Sequence, residues 1–411
     1  MLTRCVAVDT DVFAAQYWGR RPLLSRSDAL PRDFTDLLSP AAVDELISSR
    51  GVRAPFLRMA KEGSLLAREC YVDAAGFGAE MPDQVDSARV LGQLAAGATL
   101  VLQGLHRLWP PLIDFVRDAV DDLGHPVQAN AYITPPGNRG FDAHYDVHDV
   151  FVLQVSGAKR WIVHEPVHSD PLPSQPWTDH RDAIAARVTD APVIDTTLTA
   201  GDALYLPRGW LHSAISEDAT SIHLTIGVSA ITGVDVLRAL VDTLADTAEF
   251  RASLPMGLDP ADAAETAALA AKVLAVLTAT VGDRSEELSD GVAARLARRH
   301  ADRTRPVSVA PLATLDALRG ADSARVQWRR GLWATLAEAG GRVRLQLPDR
   351  TISFPAFCRP ALEAVLSGTV LDATTLPGLD AHDAAVLLRR LLREAVVVAV
   401  LGDGVLGDGA G

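Results

Sequence analysis

Residues 130–161 carry the reading of this chain. Asn130-Ala-Tyr132-Ile-Thr-Pro-Pro136-Gly137 leads to His144-Tyr-Asp146-Val-His148-Asp149, and Val150-Phe-Val-Leu-Gln-Val-Ser156-Gly157 then leads to Ala158-Lys159-Arg160-Trp161. Alternate residues of a strand share a face and lie about 6.6–6.8 Å apart, so His144 and Asp146 can converge on one ion near a strand end. His-x-Asp is also the first half of the two-His, one-carboxylate set that holds Fe(II) and leaves coordination positions open. A second imidazole is then expected from a neighbouring strand, and Leu206-Pro-Arg208-Gly-Trp-Leu-His212 delivers it 66 residues after Asp146. His148 continues the same face but lies about 13 Å from His144 on that scale, so it is expected in the pocket wall or behind the ligands.

Lys159 supplies the other half of the argument. The chain has only three lysines, Lys61, Lys159 and Lys272, among 39 basic residues. A lysine therefore stands here where the composition would ordinarily place arginine. A compact ammonium on the strand beyond the Ser156-Gly157 turn can reach into the pocket and pair with the distal carboxylate of a keto acid that chelates the ion. An exposed turn lysine beside Arg160 is the plainer alternative; the three candidate ligands favour the functional one.

The flanking pattern places this site on strands. In 127–133 the residues Gln128, Asn130 and Tyr132 alternate with Val127, Ala129, Ala131 and Ile133, and in 221–227 the residues Ser221, His223 and Thr225 alternate with Ile222, Leu224 and Ile226. A half-exposed strand gives that alternation; so does a small barrel with helices on its apolar outside and a polar interior, which we prefer because the ligand candidates lie on the same segments. Residues 1–95 are expected to be mostly helical, with Ser39-Pro40 as a helix start and Gly51 as its stop. Residues 165–195, with His168, His180 and several prolines, are expected to form a surface loop or partial lid.

From Gly233 the apolar period becomes helical, with Val236, Leu240 and Leu244 at spacing four and an alanine-rich stretch over 261–280. Residues 301–401 suggest a small mixed module: a helix over 328–338, a hairpin from 342–347 to 351–354, helices over 355–366 and 380–394, and a strand over 396–401. Residues 402–411, rich in glycine, are expected to be disordered.

At 411 residues the chain should hold two or three cores. Its net charge of −13 disfavours nucleic acid as the main partner. Cys5, Cys70 and Cys358 are dispersed and odd in number, which fits a reducing compartment and neither a disulfide framework nor a zinc knuckle. No secretory signal opens the chain and the apolar run at 395–401 is too short to span a bilayer, so a cytoplasmic protein without membrane partners is expected.

Residues 126–230 closely resemble the JmjC-type cupin domain of the ribosomal-oxygenase family, 2-oxoglutarate-dependent hydroxylases of ribosomal proteins. The matching pieces are Asn130-Ala-Tyr132-Ile-Thr-Pro-Pro136, Gly140-Phe-Asp-Ala-His144-Tyr-Asp146, the run 151–161, the run 201–212 and His223-Leu-Thr225. The resemblance implies an α+β fold: a double-stranded β-helix (96–232) with N-terminal helices (1–95), a helical dimerisation region (233–300) and a winged-helix-like module (301–401). It implies Fe(II) on His144, Asp146 and His212, and 2-oxoglutarate on Lys159 with Asn130 and Thr225 close by. It places Tyr132 in the substrate cleft, with His148, His223 and Arg208 beside the substrate or behind the ligands. By the resemblance, dioxygen is split, 2-oxoglutarate becomes succinate and carbon dioxide, and an Arg or His side chain of a ribosomal protein is hydroxylated by a homodimeric enzyme. The same chemistry on a peptide natural product or small metabolite, and a non-catalytic cupin and winged-helix binding protein, are the competing readings.

Overall fold

The computed structural model describes residues 1–139 and 141–400, so the expectation for 402–411 lies outside the described residues. The chain divides into two compact units, 1–230 and 231–411.

The first unit is built on two antiparallel sheets. The strands of these two sheets are β1 (Leu23–Ser25), β2 (Leu57–Lys61), β3 (Ser64–Leu65), β4 (Thr99–Leu102), β5 (Val127–Thr134), β6 (Asp149–Ser156), β7 (Ala158–His164), β8 (Ile194–Thr199), β9 (Ala203–Leu206), β10 (Leu211–Ser216) and β11 (Ser221–Val228), and Val72–Asp73 pairs separately with Gln84–Val85. The larger sheet has the order β1-β9-β6-β11-β5-β4-β2-β3, and the smaller one β8-β7-β10. One face of the large sheet, with Ala129, Ala131, Phe151, Leu153, Leu224 and Ile226, packs against Phe13, Leu112, Phe115 and Val116 from helices and Phe34 from a loop. Its other face turns Val150, Val152, Leu204 and Leu206 toward Trp161, Val163 and Leu198 of the small sheet. β11 is buried along its whole length, Ser221, His223 and Thr225 included. Its polar face therefore looks into the protein and not into water, which is the barrel arrangement the alternation suggested.

One sequence expectation is corrected at this point. The 1–95 region is not mostly helical: β1 pairs with β9 and β2 with β4, so this stretch supplies three strands of the main sheet. Short strands of two to five residues leave too little periodicity to see in sequence. The 165–195 insertion carries a helix, Arg181–Arg187, and ends in β8.

The second unit begins with helices Gly233–Leu244, Ala263–Asp283, Ser285–Thr304 and Pro311–Arg319. Thr232 and Asp235 form a reciprocal capping box on the first of these. The rest packs around its own core of Val343, Leu345, Phe354, Leu362, Leu388 and neighbours. There the sheet Thr335–Ala339, Arg342–Gln346, Thr351–Pro355 meets helices Arg359–Leu366 and Ala381–Arg393, and Val326–Trp328 pairs with Val397–Ala399. A helix expected over 328–338 is absent; Thr335–Ala339 is a strand. Gly340 and Gly341 both hold positive φ, +59° and +70°, and close a two-residue hairpin that draws this segment onto Arg342–Gln346.

Candidate metal centre and cosubstrate pocket

His144, Asp146 and His212 meet as the sequence predicts, and their ligand atoms all lie within 4.8 Å of one another. They are the only group of three or more potential metal donors among the described residues. The convergence comes from the backbone. His144 and His212 face each other in an isolated antiparallel bridge, His212 N–H donating to the His144 carbonyl at 2.9 Å and His144 N–H to that of His212 at 3.2 Å. Gly209 N–H donates to the Asp146 carbonyl at 3.0 Å, tying the Pro207-Arg208-Gly209-Trp210 turn to the ligand loop. Between the two ligands Tyr145 points the other way, is buried with Ile184 and Leu211, and donates its hydroxyl to the Gln175 carbonyl at 3.0 Å.

Both imidazoles are oriented. Nδ1 of His144 donates to the Asp142 carbonyl at 2.7 Å, and Nδ1 of His212 to the Trp210 carbonyl at 3.1 Å. A carbonyl only accepts, so these bonds fix the tautomer and leave both Nε2 atoms as free lone pairs. His212 Nε2 lies 3.9 Å from Asp146 Oδ2, and the two rings are 4.6 Å apart, centroid to centroid. Burial, then the neighbouring His144, pulls His212 down to about 4, so it is a neutral ligand at pH 7. Burial raises the Asp146 carboxyl, but His148, His144, His212 and Arg58 together outweigh it and hold the group below its ordinary value. Two imidazole nitrogens and a carboxylate with three open positions suit Fe(II).

Lys159 shares the pocket with all three. It is buried, donates to Thr134 Oγ1 at 3.0 Å, and has no ion-pair partner among the described residues. Thr99 donates to the same oxygen at 3.2 Å. Burial alone lowers the ammonium to about 7. A buried cation served only by hydroxyls is costly until an anion arrives, so the residues present fit a dicarboxylate with one end on the metal.

The remaining candidates divide. Tyr132, His223 and Thr225 wall the pocket, with His223 stacked on Tyr132 at 5.0 Å and edge-on to Trp161 at 5.4 Å. Burial, then Lys159, holds His223 well below the usual histidine value. His148 packs its ring against Gly227. Asn130 is not in the pocket wall: its Oδ1 accepts from Gly104 N–H at 3.0 Å. Arg208 is also outside the wall, and pairs with Asp170 at 3.2 Å and buried Asp149 at 3.9 Å. Thr99, Phe141 and Trp161 wall the pocket without having been singled out from sequence. Trp161 was legible, because it lies two residues beyond Lys159 and so on the same strand face; Thr99 and Phe141 carried no such signal.

Comparisons with known proteins agree with this geometry. Residues 112–236 match the family model described as the JmjC domain. The chicken protein named ribosomal oxygenase 1 is 31% identical over 257 residues, 59% of this chain and 40% of its own length. The Drosophila simulans protein named bifunctional lysine-specific demethylase and histidyl-hydroxylase NO66 is 44% identical over 108 residues, 25% of this chain and 12% of its own length. The chain thus spans well under half the length of these curated relatives. The structure of YcfD, a ribosomal oxygenase from Escherichia coli, in complex with cobalt and 2-oxoglutarate superposes with a TM-score of 0.55 at 19% identity, covering 97% of this chain and 99% of that one.

Proposed function

We propose that this chain, whose residues 112–236 form a JmjC domain, is an Fe(II)- and 2-oxoglutarate-dependent dioxygenase that hydroxylates a protein side chain, an Arg or His of a ribosomal protein. The observation that carries this is the presence, in one pocket, of two Nδ1-anchored imidazoles, a carboxylate and a buried ammonium with no counter-ion among the described residues. The names of the relatives and the keto acid recorded in the YcfD complex support it.

His144 and His212 would hold the ion through Nε2 and Asp146 through a carboxylate oxygen. Lys159 would hold the distal carboxylate of 2-oxoglutarate, with Thr225 in the same wall. When bound, the ion and keto acid together supply the oxidising chemistry: dioxygen is consumed, 2-oxoglutarate yields succinate and carbon dioxide, and a hydroxyl is left on a substrate carbon. The chain's own residues do the rest. The Asp142 and Trp210 carbonyls keep the imidazoles from rotating, Thr134 and Thr99 steer the Lys159 ammonium, and the Tyr132, His223 and Trp161 rings exclude water from the pocket.

The helices of 233–304 are read as a dimerisation region. Ala263–Asp283 has no buried residue, and Val273, Leu274 and Val276 stand 42%, 60% and 42% exposed. The same helix is long and apolar enough to cross a bilayer. A second copy of the chain is the cover we favour, because the helix is followed by Ser285–Thr304, which pairs Arg299 with Asp242 of Gly233–Leu244 and Arg295 with Asp246 just beyond it. The module over 311–399 is read as winged-helix-like, and the protein as cytoplasmic.

The deciding test is turnover of 2-oxoglutarate to succinate by the chain with Fe(II), absent from His144→Ala and Lys159→Ala. Comparison of ribosomal-protein masses from wild-type and deletion strains then identifies the substrate: loss of one oxygen atom on one protein is expected. No keto-acid turnover overturns the enzyme; turnover with no ribosomal mass change moves the substrate to a peptide or small molecule.

A further inference from the structure

The pocket that suits a keto acid also holds, when empty, a lysine amine with no acid paired to it. Lys159 is buried, its Nζ donates to Thr134 Oγ1 at 3.0 Å, and it has no ion pair among the described residues. Burial lowers it to about 7, so above pH 7 the uncharged amine predominates. A desolvated, uncharged lysine amine is a nucleophile.

Hydrogen-bonding groups are left over around it. Trp161 and His223 wall the same pocket, and Trp161 Nε1 and His223 Nδ1 are both buried without a hydrogen-bond partner. The indole N–H only donates. Burial, then Lys159, holds His223 well below the usual histidine value, so it is a neutral ring carrying one N–H. Thr99 and Thr134 add two hydroxyls 3.2 Å apart. An apolar lining would cost less if no anion ever came to this wall. The anion can arrive as the keto acid, or it can be made on the lysine itself.

We propose that in the keto-acid-free protein Lys159 takes up carbon dioxide as a carbamate, and that this adduct competes with 2-oxoglutarate for the pocket. The lone pair of Nζ attacks the carbon of carbon dioxide. An N–C bond forms as one C–O π bond opens onto oxygen, and one N–H proton leaves to buffer. No oxidant or reductant takes part. The resulting carbamate places a negative charge among the hydroxyls of Thr134 and Thr99 and the rings of Trp161 and His223. It removes the ammonium that a keto-acid carboxylate needs and leaves a like charge in its place. The uptake needs only dissolved carbon dioxide. The competition rests on the dioxygenase reading, in which carbon dioxide is also released in this pocket, so the empty site would respond to its own product.

The chain supplies its own controls, because its other two lysines, half-buried Lys61 and exposed Lys272, lie outside the pocket wall. The full chain, free of metal and keto acid, is equilibrated with isotope-labelled carbon dioxide in slightly alkaline buffer, trapped with triethyloxonium, digested and read by tandem mass spectrometry. Labelled ethyl carbamate on Lys159 should exceed that on Lys61 or Lys272 by at least about tenfold. Carbon NMR of the intact protein should show a carbamate resonance that Lys159→Met lacks. Labelling of Lys159 no greater than that of the other lysines overturns the proposal, and this comparison, made within the wild-type chain, does not depend on any variant folding. Calorimetry in the presence of Co(II) then titrates 2-oxoglutarate with and without carbon dioxide at one pH. Carbon dioxide should raise the apparent Kd at least about twofold by mass action, and saturating 2-oxoglutarate should erase the Lys159 label. An unchanged Kd, or a label that persists while keto acid binds, overturns the proposal. If keto acid does not bind at all, the dioxygenase reading falls and the Lys159 label alone decides the carbamate.

Discussion

Lys159 shows how much one buried charge demands of its surroundings. Burial lowers its ammonium from 10.5 to about 7. The unfolded chain keeps that proton to the ordinary lysine value, so between about pH 7 and 10.5 the unfolded state binds more protons and stability rises with pH. The penalty is in full force below pH 7 and is relieved toward 10.5. Wild type should therefore gain melting temperature relative to Lys159→Met as pH is raised across this window, measured by thermal denaturation without keto acid. A bound carboxylate acts in the opposite sense, because it favours the ammonium. Binding of 2-oxoglutarate should take up a proton above pH 7 and weaken as pH rises, which calorimetry in buffers of different ionisation enthalpy reads directly. Lys159→Met should lose at least about tenfold in keto-acid affinity at pH 7, the loss of a charge-assisted contact. His212→Ala, by contrast, should abolish tight Co(II) binding in a direct titration, since two ligands do not replace three.

At the scale of elements, the turn at Gly157 governs whether Lys159 reaches the pocket. Ser156-Gly157 suggests a simple hairpin turn in sequence, yet β6 and β7 belong to different sheets, and Gly157 is the corner where the chain crosses between them. Its φ is +65°, and an added Cβ would collide with the Thr220 carbonyl oxygen. Gly157→Ala should cost about 2–4 kcal/mol in chemical denaturation and should weaken 2-oxoglutarate binding as well, because Lys159 follows two residues later. Gly340-Gly341 makes a comparable point in the second unit. Apolar spacing over 328–338 suits a helix or a strand, and the two positive-φ glycines decide for a strand by making the partner adjacent. Where the alternation was long, as in β5 and β11, sequence and structure agree; the polar face of β11 is interior along its whole length, while on β5 Asn130 and Tyr132 are half-buried and Gln128 is exposed.

At the scale of the whole molecule, an apolar helix with no buried residue requires a cover. The chain should sediment as a dimer, and Leu274→Glu with Val273→Glu should shift it to monomer in light scattering while the melting of the first unit is unaltered. A chain that remains monomeric at micromolar concentration would remove the dimerisation reading.

The sequence by itself determined the chemistry: His144, Asp146, His212 and Lys159 are set by spacing along two short runs, and strand geometry converts that spacing into direction. Tertiary structure alone decided which distant residues join them. Thr134 and Thr99 reach Lys159, and Arg58 reaches Tyr132, through strand pairings that bring together segments far apart in the chain. Asn130 with Gly104, and Arg208 with Asp149 and Asp170, likewise take partners far away in the chain. A side chain's partner is settled by which strands become neighbours, and that is a long-range property the local pattern does not contain.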